Sequence, residues 1–271
     1  RTSVLEKLTA PLCDAVTRGT QGQTTLLDLE RANLFLIPVD ESRQWFRYEH
    51  LFAELLRHQL GRVAGEATVA ELNRRASRWY KDNGLVHESI DHALAARDWE
   101  AAMDLLAGAS DGHMLTGEMV TLLRWFQALP EDVLLARPAL CRRYGYALTF
   151  TGQLDSAEAV LQRVEPAVGE DSAERGRILA GRAVVESLRG NVDRSVELAH
   201  QALPRLSDAD SDIRAALSLN LAVVYWYEGL LRRAEPLCLE AYRAGKGAGQ
   251  PWVEMMALSM MADIGRWLGG Y

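Results

Sequence analysis

Along the first sixty residues the apolar positions change their period twice. Leu26, Leu27, Leu29 and Ala32 stand at helical spacing that ends near Asn33. The run Leu34-Phe35-Leu36-Ile37-Pro38-Val39 is short and β-rich. The turn-forming Asp40-Glu41-Ser42 follows, then Gln44-Trp45-Phe46-Arg47-Tyr48. Two such runs about a polar tip predict a β-hairpin. Pro38 has no N–H to donate, so it is expected to face outward. Leu51, Phe52, Leu55, Leu56 and Leu60 then return to helical spacing and predict an amphipathic helix.

Helix, hairpin and helix in a helical context predict the C-terminal part of a winged-helix domain over 1–65. A wing can read DNA or act as a spacer. Here Arg43 and Arg47 stand against Asp40, Glu41 and Glu49, and this balance favours the spacer.

From the middle of the chain onward the pattern repeats. Gly152, Gly190, Gly229 and Gly269 are spaced by 38, 39 and 40 residues. Seven residues before each stands a small residue: Gly145, Ala183, Ala222, Ala262. Five residues after the first three stand Ala157, Ser195 and Ala234. Antiparallel helices joined by a tight turn pack closely only where small side chains meet, and the glycine supplies the turn. The register is like that of tetratricopeptide repeats (TPRs). Gly84 fits it as well, with Ser77 before and Ser89 after, but the register degrades between Gly84 and Pro138. Pro138 and Pro251 fall where first helices begin, and Asp155-Ser156-Ala157-Glu158 has the form of a capping box.

The predicted fold is therefore mainly all-α, an α-solenoid of TPR-like hairpins preceded by a small winged-helix-like segment with one β-hairpin. Residues 66–135 read as transitional helical hairpins and 136–271 as a superhelical sensor. The last unit ends just after its turn at Tyr271, without a second helix, and the chain is expected to continue beyond it.

Composition narrows the function more than the fold. A net charge of −7 and a pI near 5.5 argue against non-specific nucleic-acid binding. Cys13, Cys141 and Cys238 are odd in number and far apart, which fits a reducing cytosol and neither a disulfide framework nor a zinc site. No apolar run has the length of a membrane span, and no signal peptide is evident. His87 and His92 are five apart, not the four that a helical zinc motif needs, so helix packing or surface is the expected role. Gly245-Lys246-Gly247-Ala248-Gly249 lacks the strand and the Lys-Ser/Thr pair of a phosphate loop and is expected to be a loop between repeats. No carboxylate pair is tied to a nucleophile, so the segment is expected to be no enzyme.

In the TPR-like register, first-helix residues ten, six and three or two before each turn glycine are expected to face the concave groove. They are Arg142, Tyr146 and Thr149 in one unit, the small Ala180, Val184 and Ser187 in the next, then Leu219, Val223, Trp226 and Tyr227, and Ser259, Asp263, Arg266 and Trp267. Aromatic rings flanked by charge suit a polar organic ligand. Trp226 and Tyr227 would equally serve as inter-helix core.

Leu27-Asp28-Leu29-Glu30-Arg31-Ala32-Asn33-Leu34-Phe35 and Trp45-Phe46-Arg47-Tyr48-Glu49-His50-Leu51-Phe52 resemble the large ATP-binding regulators of the LuxR family, of the maltose-regulon-activator type. Ala76-Ser77-Arg78-Trp79-Tyr80 with Asn83-Gly84, and Leu122-Leu123-Arg124-Trp125-Phe126, extend the resemblance almost from end to end. It implies a cytoplasmic signal-transduction ATPase that activates transcription, in which this segment senses a small-molecule inducer. The alternative is a scaffold that docks a regulatory protein or peptide in the same groove. The resemblance further implies self-association of the whole protein. No cofactor is expected in this segment; ATP and Mg would bind an N-terminal domain, and DNA a C-terminal domain, both outside this chain. No membrane partner is implied.

Overall fold

A computed structural model describes residues 1–116 and 118–269. The chain packs as two compact units, Arg1–Leu115 with Gln127–Leu129, and Thr116–Phe126 with Pro130–Tyr271. The division falls inside the stretch read as transitional.

The first unit starts with a 3-10 turn at Thr2–Val4 and helix α1 at Ala10–Thr17, which the sequence reading missed. Thr9 caps α1 by accepting the Leu12 N–H at 3.3 Å. Helix α2 (Gly22–Arg31) follows closely enough that a Cβ on Gly22 would lie 2.5 Å from the Ala10 carbonyl oxygen. Strands β1 (Leu36–Pro38) and β2 (Phe46–Tyr48) pair antiparallel, with Pro38 opposite Phe46. The Phe46 N–H turns the other way, to the Leu8 oxygen at 2.9 Å, and Leu8 returns its own N–H at 2.7 Å. The strand pair is thus flanked by Leu8 on one side, and Pro38 lies on the outer strand, where no ladder donor is needed. Asp40 holds the hairpin turn by accepting the Gln44 and Trp45 N–H groups at 3.0 and 2.8 Å. Leu5, Leu8, Leu12, Val16, Leu26 and Phe46 form the core.

Helix α3 (His50–Asp82) is two helices joined at Gly65, whose φ of 72° and ψ of 162° break the helical run. Its first part departs from the expected stripe. Leu51 and Leu55 are exposed, whereas Ala53 is buried and Phe52, Leu56 and Leu60 are half-buried. The buried face is therefore shifted towards Ala53, away from Leu51 and Leu55. The second part of α3 forms a hairpin with α4 (Val86–Ala95) about Gly84. At the crossing, the Ser77 and Ser89 hydroxyls each donate to the other's carbonyl, at 2.8 and 2.9 Å.

Helix α5 (Trp99–Thr116) completes this region. Its turn from α4 carries Arg97 at a φ of 52°, and there the Asp98 N–H bonds the Ala93 oxygen at 3.0 Å. This is the closure made at the turn glycines, with arginine in the left-handed position. The repeat spacing itself is lost here, since positions 38–40 residues after Gly84 fall inside α6 (Met119–Gln127).

In the second unit, α6 (Met119–Gln127) and α7 (Glu131–Leu135) precede three hairpins. These are α8 (Pro138–Phe150) with α9 (Leu154–Val164), α10 (Ala173–Leu188) with α11 (Val192–Ala202), and α12 (Ser211–Tyr227) with α13 (Leu231–Ala248). Helix α14 (Pro251–Trp267) follows them in the position of a first helix. The glycines at 152, 190, 229 and 269 all have φ between 74° and 82°. At the first three of these turns the following N–H returns to the third-last helical carbonyl, at 2.8–2.9 Å. The small pairs meet as the register requires. Gly145 faces Leu161 so closely that a Cβ would lie 2.6 Å from its Cδ2, and the Ser195 hydroxyl donates to the Ala183 oxygen at 2.8 Å. Ala262 is exposed, since no helix follows α14 among the described residues.

Two local expectations fail. The capping box does not form. Gln153 is the N-cap of α9 and makes no side-chain cap bond, while Asp155 pairs with Arg189, just past the end of α10, and Glu158 with Arg182 within it. The Gly245–Gly249 stretch is not a loop either. Helix α13 runs through Ala248 and ends at Gly249 with a φ of 64°, and Gly245 lets Val253 of α14 approach. Tyr271 lies outside the described residues.

Candidate functional site

Of the register residues, the eight that are aromatic, charged or threonine divide into two groups. On α8, Arg142 and Tyr146 are committed to α10 and Thr149 to its own helix. The Arg142 guanidinium donates to Glu174 at 2.8 Å and lies 5.5 Å from the centre of the Tyr146 ring. Burial opposes its charge, but Tyr146 and Glu174 outweigh that and raise its pKa. The Tyr146 hydroxyl donates to the Arg177 carbonyl at 3.1 Å, and its ring fits against α10 because position 181 is glycine. Burial pushes the Tyr146 pKa up. Thr149 points inward, buried, with its hydroxyl on the Gly145 carbonyl at 2.8 Å.

The second group is open. Trp226 is half-buried and meets the Tyr227 ring edge-on at 5.2 Å, while Tyr227 itself is exposed. Asp263 and Arg266 form an ion pair at 2.8 Å on α14, and Trp267 is exposed on the same face. Helices α12 and α14 are in contact, so these five residues sit on neighbouring first helices at matching register positions.

The register reading missed the polar chain that ties the hairpins together. Glu174 bridges Arg142 to Arg177 (3.0 Å), and Arg177 donates to Asp210 at 2.5 Å. Asp210 also accepts from the Ser207 N–H and hydroxyl, at 2.9 and 2.7 Å, so its pKa falls despite its burial. The partners are 32 and 33 residues apart, and no local sequence pattern marks such pairs. A second clamp joins α9 to α10. Buried Arg182 donates to Glu158 and Glu165, and Arg175 donates to Glu165 at 2.7 Å.

Among the described residues no group of three His, Cys, Asp or Glu side chains could hold a metal ion, and no helix is long and apolar enough to cross a membrane. The three thiols are buried, and desolvation raises their pKa values to about 12, 12 and 11 for Cys13, Cys141 and Cys238.

The architecture is that of a winged-helix segment followed by a TPR-like repeat. Along 98% of its length the chain matches 40% of a signal-transduction ATPase with a tetratricopeptide repeat sensor from Pyrococcus horikoshii. The TM-score is 0.64 at 14% identity, a likeness of fold alone.

Residues 1–68 match the family described as the MalT winged helix domain. Over 210 residues the chain is 34% identical to the serine/threonine-protein kinase PknK of Mycobacterium tuberculosis, covering 75% of this chain and 19% of that protein. It is 32% identical to the HTH-type transcriptional regulator MalT of Klebsiella pneumoniae, covering 76% and 23%. The chain thus carries a MalT-type winged helix over residues 1–68 followed by a TPR-like repeat, and over three quarters of its length it is similar to a MalT-type regulator. It spans about a fifth of the length of these relatives.

Proposed function

We propose that this chain is the sensor segment of an ATP-dependent, cytoplasmic transcriptional activator, and that it binds a small-molecule effector on α12 and α14. One observation carries the reading. The exposed Tyr227 and Trp267 rings share a register position on neighbouring helices, with the Asp263–Arg266 pair on the same face of α14 as Trp267. Rings to stack on and charges to hydrogen-bond are what a polar organic ligand needs. Arg142, Tyr146 and Thr149 support the hairpins and are not contacts in this reading.

The relatives support an input role. A segment shared by a protein named as a kinase and another named as a transcriptional regulator is common to two different outputs. ATP and Mg, DNA contact and self-association belong to other parts of the whole protein, and this segment performs no catalysis. The effector acts by binding one conformational state better than another.

The test is a thermal-shift screen of the chain against carbon-source metabolites, with calorimetry on each hit. Saturable stabilisation that Trp226→Ala and Arg266→Ala both weaken is the expected result. A hit that neither substitution affects rejects the α12–α14 assignment, and a flat screen on a cooperatively folding chain rejects the small-molecule reading.

A second reading, docking of a regulatory protein, rests on a separate observation. Phe150, Leu188, Tyr227 and Trp267 each stand two residues before a turn glycine and are 71, 60, 79 and 77% exposed. Four large apolar side chains at one repeat position form a row along the hairpins, a surface suited to an extended partner. Phe150→Ser with Leu188→Ser would abolish such docking and leave effector binding at α12 and α14 intact.

A further inference from the structure

A cleft of about 460 Å3 opens within the first unit, lined by the N-terminal segment, the β-hairpin, the second part of α3 and α4. Two aromatic residues of its lining, Tyr80 and His92, are almost fully buried, with 3 and 9% exposure, and their rings stack at 5.3 Å and 12°. Both carry polar atoms that the fold leaves unused.

The histidine is held in one tautomer. Asn73 donates its amide to the Val69 carbonyl at 3.0 Å, which turns its oxygen to His92 Nδ1 at 2.7 Å. Nδ1 therefore bears the proton, and Nε2 is a bare acceptor. Among the described residues neither Nε2 nor the Tyr80 hydroxyl has a hydrogen-bond partner, and neither atom is sealed from solvent. Both side chains are at least nine-tenths buried and line the cleft, so their unpartnered polar atoms are available to an occupant there.

The charge of the lining selects the occupant. Glu6, Asp40, Glu88 and Asp91 face one basic residue, Lys7, a difference of three negative charges. The Asp40 carboxylate is taken by its own turn, and Asp91 has partners elsewhere. Glu6 and Glu88 both act on Tyr80, since their charges, after desolvation, help raise the pKa of its hydroxyl. Trp45 adds an apolar wall.

We propose that this cleft binds a small organic cation carrying N–H donors. Its head group donates to His92 Nε2 and faces Glu6 and Glu88, while the Tyr80 hydroxyl bonds a polar atom beside it and Trp45 covers its carbon skeleton. The site is separate from the effector face on α12 and α14 and stands whether or not that reading holds.

The test is a titration of the 271-residue chain with agmatine and with glucosamine, using glucose as the neutral comparison and following histidine ring 15N signals by NMR. A saturable shift of the His92 Nε2 signal with at least one cation and none with glucose is expected. Tyr80→Phe keeps the ring stack, Glu88→Gln keeps the side-chain shape, and each should weaken binding by about fivefold, the loss of one hydrogen bond or charge contact. The proposal is overturned if neither cation moves the signal, if glucose moves it equally, or if both variants bind with unchanged affinity.

Discussion

Gly145→Ala adds one methyl group at the crossing of α8 and α9, and the structure sets its cost. The new Cβ would lie 2.6 Å from Leu161 Cδ2, 2.7 Å from Cγ and 3.2 Å from Cδ1. Carbon atoms pack at roughly 3.5–4.0 Å, so the helices or Leu161 must yield by about 1 Å. Leu161 has little room, because it is fully buried and its Cδ1 is also within 3.4 Å of the Cβ position at Gly181 on α10. Overpacking of this kind costs about 1–3 kcal/mol, and the better helix propensity of alanine returns about 1 kcal/mol. A net loss of about 0–2 kcal/mol is expected, read as a lower urea midpoint for the second unit.

Leu161→Ala alone removes buried volume and should cost about 2–5 kcal/mol. In that background the methyl group at 145 meets no obstruction, so Gly145→Ala should become neutral or stabilising by about 1 kcal/mol. Four urea curves on the single and double variants test the cycle. A stabilising Gly145→Ala in the native background, or an equal effect in both backgrounds, would refute the view that close approach at the crossing demands glycine.

Other perturbations follow from the same contacts. Arg97→Gly relieves a left-handed arginine and should stabilise the first unit by about 1 kcal/mol, with a higher midpoint by circular dichroism; a lower midpoint would contradict the turn assigned there. Arg182→Met strands the Glu158 carboxylate, leaves Glu165 to Arg175 alone and should cost about 3–5 kcal/mol, whereas Arg163→Met breaks an exposed pair with Glu131 and should cost about 0–1 kcal/mol. Equal losses would mean that the clamp on α10 is no stronger than a surface pair. Burial lowers the His92 pKa to about 4, against the opposing pull of Asp91 and Glu88. Below its ordinary value of 6.5 the unfolded chain takes up a proton first, so this histidine removes stability as pH falls, by about 3 kcal/mol on reaching pH 4. His92→Gln should flatten the decline between pH 7 and 4.5, and an unchanged decline would reject the assignment.

Local pattern determined much of this protein. The β-hairpin, the turn glycines and the small residues at each helix crossing were all readable, because each is set by period, by backbone conformation or by a steric limit within about a dozen residues. The resemblance to LuxR-family regulators was readable for the same reason, its motifs being contiguous. What needed the tertiary structure is long-range or depends on which face turns inward. Leu51 and Leu55 obey helical spacing yet lie exposed, since periodicity states that a stripe exists but the packing partner chooses its orientation. Asp155 and Glu158 have the spacing of a capping box, but arginines more than twenty residues away claim them. Arg142, Tyr146 and Thr149 occupy the right register for an open groove. For Arg142 and Tyr146 the choice between solvent and a neighbour is decided by residues 31–35 positions further on, Glu174, Arg177 and Gly181. The stacked pair of Tyr80 and His92 is closed by Asn73 from another turn of α3, and only three-dimensional proximity leaves their polar atoms together on the wall of a cleft.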